Sequence, residues 1–150
     1  MKLLMVCLGN ICRSPLAQGI MEHEIAKAGL DWTVDSAGTG NWHIGEGPDH
    51  RSVSTARNHG VDISKQVCRQ FKPRDFDEFD VIFVMDKNNL SDVLNMARTD
   101  ADAAKVQLLL VDKEVPDPYY DSNKFEPVFE LIEGACKDVI RRLKGSEFKN

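Results

Sequence analysis

Lys2-Leu3-Leu4-Met5-Val6-Cys7-Leu8-Gly9-Asn10-Ile11-Cys12-Arg13-Ser14-Pro15 changes character twice. An apolar run gives way to a short loop with Gly9 and Asn10, and a helix start follows at Ser14-Pro15. Such a run suits a strand buried on both faces, as in a parallel sheet. Glycine and asparagine readily take left-handed conformations, so successive N–H groups can turn inward and form a concave nest. Ser14 suits an N-cap, and Pro15 the first helical position, where no N–H is needed. The helix adds its positive dipole end to the same spot. This stretch therefore predicts a strand, an anion-binding loop and a helix, with the thiol of Cys7 at the mouth of the loop.

Outward from it, apolar runs alternate with helical patterns, which points to βαβ units and a parallel sheet. Strands are expected near 2–7, 32–37, 80–85 and 106–111, and helices near 14–28, 48–59, 87–98 and 124–143, with a short turn around 73–77. The fold class is α/β: a single three-layer domain over residues 1–150, with a four-stranded parallel β-sheet flanked by helices and a phosphate-binding loop after strand 1. The charge-rich segment 72–80 is expected as solvated surface. The irregular segments 38–47 and 112–124 exceed the usual connection length. Ligands of open parallel sheets sit beyond the carboxyl ends of the strands, where both segments and the first loop emerge.

Composition sets limits. Hydrophobic content of 42% and charged content of 29% are ordinary for a globular chain, and no stretch approaches a membrane span. Residues 1–6 are too short for a signal peptide, so the expected location is cytoplasmic, with no membrane insertion. A net charge of −5 without a long basic run argues against nucleic acid as a partner. Four irregularly spaced cysteines fit neither a disulfide scaffold nor a zinc site, so free thiols and no metal are expected. The four histidines lack metal spacing, and surface or capping roles are expected for them.

A cysteine followed six positions later by arginine occurs three times, at Cys7/Arg13, Cys68/Arg74 and Cys136/Arg142. Cys136 lies in a pattern of apolar residues at helical spacing, where positions six apart face away from each other, and reads as a core cysteine. The Cys68 match contains Lys72-Pro73, has no glycine and follows no strand. Only Cys7 has the setting that anion chemistry needs.

Inward N–H groups, the helix dipole and Arg13 all favour a thiolate there, with Ser14 able to donate one more hydrogen bond. Cys7 is then a candidate nucleophile. Backbone amides of Leu8, Gly9, Asn10, Ile11, Cys12 and Arg13 can bond phosphate oxygens, and the planar fork of Arg13 takes two of them. The missing piece is a proton donor for the leaving group. Val115-Pro116-Asp117-Pro118-Tyr119-Tyr120-Asp121 offers Asp117, a carboxyl on stiff backbone between two prolines; an ordinary turn aspartate is the other reading. Asp86, after the third apolar run, reads either as a partner for Arg13 or as a helix N-cap.

The first motif, Asp35-Ser36-Ala37-Gly38 and Asp117-Pro118-Tyr119-Tyr120 together resemble the low-molecular-weight protein tyrosine phosphatases over nearly the whole chain. The resemblance implies hydrolysis of phosphotyrosine monoesters without a metal or other cofactor. Cys7 is the implied nucleophile, Arg13 the phosphate clamp and Asp117 the general acid and base. Tyrosine-phosphorylated proteins are the implied substrate partners, with inorganic phosphate as product. It also implies that Asn10 holds the loop through Ser14 and Ser36, in a network often completed by a histidine where this chain has Gln66. Leu8, Ile11, Trp42 and Tyr119 are the expected walls of an aromatic slot, although a lone loop tryptophan is also a common partly buried anchor. Cys12 has two readings: filler of a small apolar gap, or, as the resemblance implies, redox partner of Cys7 in a reversible disulfide.

Three alternatives remain. Arsenate reductases of the same fold need two further cysteines at or after the third strand, where residues 81–89 have none. Protein-arginine phosphatases typically carry Thr where Ile11 stands and lack the tyrosine pair. A non-catalytic module that senses phosphate or oxidants through Cys7 and Cys12 is the rival of a different class.

Overall fold

The computed structural model describes residues 1–148, with side chains through residue 145. In chain order the elements are β1 (Lys2–Cys7), α1 (Arg13–Lys27), β2 (Thr33–Gly38), α2 (His50–Asn58), α3 (Asp75–Glu78), β3 (Val81–Val84), α4 (Lys87–Leu94), α5 (Asp100–Ala104), β4 (Val106–Leu108), a 3-10 turn (Ser122–Lys124) and α6 (Phe125–Phe148). The four strands pair in parallel in the order β2-β1-β3-β4. The expected α/β class and sheet thus stand.

The apolar run of β1 is explained by its central place. Successive side chains point to opposite faces: Leu3, Met5 and Cys7 join the core under α1 and α6, while Leu4 and Val6 join Phe71, Phe76, Phe79 and Val93 on the other face. Cys136 is fully buried in the first of these cores, as its helical spacing predicts. Since all four strands run the same way, the loops after β1, β2 and β3 emerge at one edge.

Several boundaries differ from the sequence expectation. The fourth strand ends at Leu108 rather than 111. The helix expected over 87–98 stops at Leu94, and a second helix, α5, follows, its N-cap Thr99 accepting from the Asp102 N–H at 3.1 Å. The helix α1 begins at Arg13 with Cys12 at the N-cap, so Ser14 is not a cap and Pro15 is the third helical residue, two positions deeper than expected. Proline is tolerated there because the early N–H groups of a helix have no intrahelical partner. The solvated surface expected over 72–80 is also corrected: Asp75, Phe76 and Phe79 are buried. Asp75 is held by two 3.1 Å hydrogen bonds from the Arg69 guanidinium and one from the Lys72 N–H, which lets a carboxylate sit inside.

Candidate active site

The loop between β1 and α1 is hydrogen-bonded outward through its carbonyls. Cys7 O accepts from Thr39 N at 2.9 Å, Leu8 O from Gly40 N at 2.8 Å and Ile11 O from Asp49 N at 2.8 Å. Asn10 O accepts from Cys68 Sγ at 2.8 Å, and Cys12 O from Ser52 Oγ at 3.3 Å. A peptide plane whose C=O faces the scaffold points its N–H the other way. The N–H groups of Leu8, Gly9, Ile11, Cys12 and Arg13 therefore face away from the scaffold, and all five residues line the cleft that also holds Cys7, a geometry compatible with an anion nest.

Asn10 is the non-glycine residue of the described chain with positive φ, at 57°. Asparagine tolerates this region better than most residues, and its side chain is tied in three directions. Its Nδ2 donates to Ser14 Oγ at 2.8 Å and Ser36 Oγ at 3.0 Å, and its Oδ1 accepts from the Arg69 N–H at 2.9 Å. The Ser36 hydroxyl in turn donates to Gln18 Oε1 at 2.7 Å. Gln66 is not in this network; its Nε2 donates to Pro15 O at 3.1 Å. The backbone of Arg69 and the side chain of Gln18 close it instead. Gly38 lies directly beneath the loop, where a Cβ would stand 2.8 Å from Leu8 O and 3.0 Å from Asn10 N.

Ser14, freed from the capping role, turns its hydroxyl to Cys7, with Oγ and Sγ 3.0 Å apart. In the thiolate form Ser14 is the donor. Arg13 is buried and doubly fixed: Nη1 donates to Asp86 Oδ2 at 2.7 Å and to Val115 O at 2.9 Å. Burial opposes its charge, but Cys7 and the Asp86 hydrogen bond outweigh this and hold the guanidinium ionised. Both readings of Asp86 apply at once, because its Oδ1 also caps α4 by accepting from Asn89 N at 2.8 Å.

Asp117 stands across the cleft, with Oδ2 3.8 Å from Arg13 Nη2 and a side chain 37% exposed. Its Oδ1 accepts from the Tyr119 N–H at 3.1 Å, so the turn expected from its sequence and its place beside the cysteine loop coexist. The cleft holds about 290 Å³ and has Cys7, Cys12 and Arg13 at its base. Leu8, Ile11, Trp42 and Tyr119 line it together with His43 and Tyr120. Trp42 is largely exposed, its ring lying on Gly40, where a Cβ would overlap it. His43 packs against Gly9 and contacts Glu46 at 3.1 Å; lacking metal spacing, it gave no sequence signal.

Cys68 is the other residue the sequence concealed. Its thiol spans from Asn10 O toward Gly47 O, 3.7 Å away. Burial pushes that thiol up to about 11, and burial with the nearby Asp49 carboxylate pushes Cys12 up to about 12, so both stay protonated near neutrality.

A family model described as low molecular weight phosphotyrosine protein phosphatase matches residues 2–148. The chain belongs to that family. It is 42% identical over 159 aligned residues to a Synechocystis sp. member, covering the whole of both chains. The crystal structure of a protein tyrosine phosphatase from Entamoeba histolytica, with Hepes in its active site, is similar at a TM-score of 0.92 and 35% identity, over 98% of this chain and 99% of that one. A Drosophila arginine phosphatase structure is similar at a TM-score of 0.89 and 35% identity, over 96% and 98% of the two chains. Among the described residues of this phosphatase family member, no helix is long and apolar enough to cross a membrane.

Proposed function

We propose that this chain, acting as one phosphatase domain over residues 1–150, hydrolyses phosphotyrosine monoesters in proteins through a phosphocysteine intermediate. The observation that carries the reading is the convergence of five inward-directed N–H groups, Cys7, Arg13 and Asp117 on one cleft. The nest and the Arg13 fork bind the three terminal phosphate oxygens. The Cys7 thiolate attacks phosphorus as the bond to the tyrosine oxygen breaks, and protonated Asp117 gives its proton to that leaving oxygen. Asp117, now a carboxylate, takes a proton from water, whose oxygen attacks phosphorus. The sulfur–phosphorus bond breaks, and inorganic phosphate and the Cys7 thiolate return. Arg13 and the amides meet the charge that spreads over the equatorial oxygens in both steps.

Leu8, Ile11, Trp42 and Tyr119 are proposed as walls that admit a flat aromatic ester to the depth of Cys7. Cys12 is proposed as the redox partner of Cys7, a role supported by its place at the same cleft floor. A reducing, cytoplasmic setting is part of the proposal, supported by four free cysteines.

The test compares p-nitrophenyl phosphate and a phosphotyrosine peptide with the parent, Cys7→Ser and Asp117→Ala. Turnover by the parent and none by Cys7→Ser is expected; no turnover by well-folded parent favours the sensing module. The likeness to the Drosophila arginine phosphatase makes phosphoarginine the third substrate. Apolar Ile11 and the Tyr119-Tyr120 rim support the aromatic ester, and a preference for phosphoarginine would reverse that assignment.

A further inference from the structure

Arg51 belongs neither to the phosphate loop nor to the Asp117 segment, yet it joins the two. Its Nε and Nη2 donate to the two carboxylate oxygens of Asp49 at 3.0 and 2.9 Å, and its backbone N–H donates to Asp49 Oδ1 at 2.8 Å. Burial works against the Asp49 charge, but these bonds outweigh it and hold the carboxyl below its usual range. Asp49 is anchored in turn by its N–H to Ile11 O of the phosphate loop, at 2.8 Å. On the other side, Arg51 Nη1 donates to Ser122 Oγ at 3.1 Å. The guanidinium carbon lies 5.5 Å from the ring centre of Tyr119 and 4.6 Å from that of Phe125, within cation–π range of both.

Tyr119 is one hydrogen bond from the acid. Its backbone N–H occupies Asp117 Oδ1, which leaves Oδ2 facing Arg13 and the cleft. Wherever the Tyr119 turn stands, the free carboxyl oxygen goes with it. Val115 ties the start of this segment to the sheet and to Arg13, its N–H donating to Met85 O at 2.8 Å and its carbonyl accepting from Arg13 Nη1 at 2.9 Å. Beyond Pro116 the backbone hydrogen bonds of the turn are local, such as Asp121 N to Pro118 O at 3.0 Å, and leave the placement of the Tyr119 ring to its side-chain contacts. The Asp49-Arg51 pair reaches that ring from the phosphate loop with a rigid planar fork, which lysine lacks.

We propose that Arg51 is a positioning residue for proton transfer: held by Asp49, it fixes the Tyr119 turn and so aims the Asp117 carboxyl at the leaving oxygen. This deepens the phosphotyrosine reading above and rests on it.

The test is leaving-group dependence, because a good leaving group departs without a proton and a poor one does not. kcat/KM, which covers all steps through departure of the leaving group, is measured for phenyl phosphate and 2,4-dinitrophenyl phosphate. Arg51→Gln is expected to lose about tenfold on phenyl phosphate and less than about threefold on the dinitrophenyl ester. Arg51→Lys should resemble Arg51→Gln rather than the parent. In an Asp117→Ala background, Arg51→Gln should cost less than about twofold on phenyl phosphate, since the group it aims is gone. Equal losses on both esters, no loss on either, or a full loss in the Asp117→Ala background would overturn the proposal. Should Arg51→Gln fail to fold, Asp49→Asn, which keeps a cap acceptor but loses the paired charge, must show the same leaving-group pattern. No turnover of either ester by the folded parent overturns the phosphatase reading itself.

Discussion

Arg13 and Asp86 form a 2.7 Å ion pair between a guanidinium and a carboxylate whose side chains are 3% and 19% exposed. The pair crosses from the start of α1 to the N-cap of α4, two residues past the end of β3, so the cation that faces the cleft is fixed from the next crossover of the sheet rather than by its own loop. Asp86→Asn keeps an oxygen for the α4 cap and removes the charge. Competitive inhibition by inorganic phosphate should weaken about tenfold, and stability in urea should fall by about 2–4 kcal/mol, because a buried guanidinium loses its counter-charge. Unchanged inhibition and unchanged stability would show that the pair does not hold Arg13.

Asn10 separates backbone strain from hydrogen bonding. Asn10→Gly and Asn10→Ala both lose the bonds to Ser14, Ser36 and Arg69, but only alanine must hold a φ near 57° with a Cβ. The alanine variant should be less stable by about 1 kcal/mol, with kcat/KM depressed in both. Equal stabilities would mean that the loop abandons the left-handed conformation once its ties are cut.

Gly38→Ala adds one carbon against rigid backbone, 2.8 Å from Leu8 O and 3.0 Å from Gly9 C. The loop must move, and the N–H groups move with it. A loss in kcat/KM of about a hundredfold is expected alongside a stability loss of only about 1–3 kcal/mol. Activity within about twofold of the parent would show that the nest tolerates displacement.

These sites mark how far the sequence could be read. Strand β1, the Gly9-Asn10 loop and the role of Cys136 followed from apolar runs and helical spacing, because burial on both faces leaves a one-dimensional trace. Asp117 could be paired with Cys7 through the shared edge of a parallel sheet and then through the family resemblance, since nothing local distinguishes an acid from a turn aspartate. Ser14 looked like a cap, and its hydroxyl was claimed by Cys7 and Asn10, a tertiary demand that outweighed local preference. Asp75 looked solvated because its partner Arg69 comes from outside the charge-rich run. Helix α5 is a single short turn or so and carries too few apolar residues for periodicity to show. Gln18 acts through the Ser36 hydroxyl, Cys68 through the Asn10 carbonyl and Arg51 through distant rings, and no spacing rule reports such contacts.

The buried thiols predict alkaline lability. Burial raises Cys12 to about 12 and Cys68 to about 11, and raises Cys136 further from its ordinary value. The folded values lie above the unfolded value of about 8.5, so this contribution is complete below about pH 8.5 and is lost as pH rises through the folded values. Each thiol should remove up to about 1.4 kcal/mol per pH unit across that window. Urea midpoints measured at pH 8, 9 and 10 should fall, and Cys68→Ala should fall less steeply than the parent. A flat profile would contradict the assignment.

Cys12 and Cys7 make a redox prediction. Peroxide should inactivate the parent reversibly, with dithiothreitol restoring activity, whereas Cys12→Ser should stay inactive because Cys7, the proposed nucleophile, oxidises beyond the recoverable stage. Equal recovery of the two proteins would remove Cys12 from any protective role.

The outward-facing carbonyls of the phosphate loop have a thermodynamic consequence. Their donors come from Thr39, Gly40, Asp49, Ser52 and Cys68, spread along the first half of the chain, while Arg13 is held by Asp86 and Val115 from the second. The nest therefore exists only when both halves are folded, and anion affinity and conformational stability become one linked quantity. Inorganic phosphate, the product of the proposed reaction, is then also a folding ligand: each tenfold excess over its dissociation constant adds about 1.4 kcal/mol to the native state. Phosphate-rich surroundings would slow turnover while prolonging the lifetime of the folded chain.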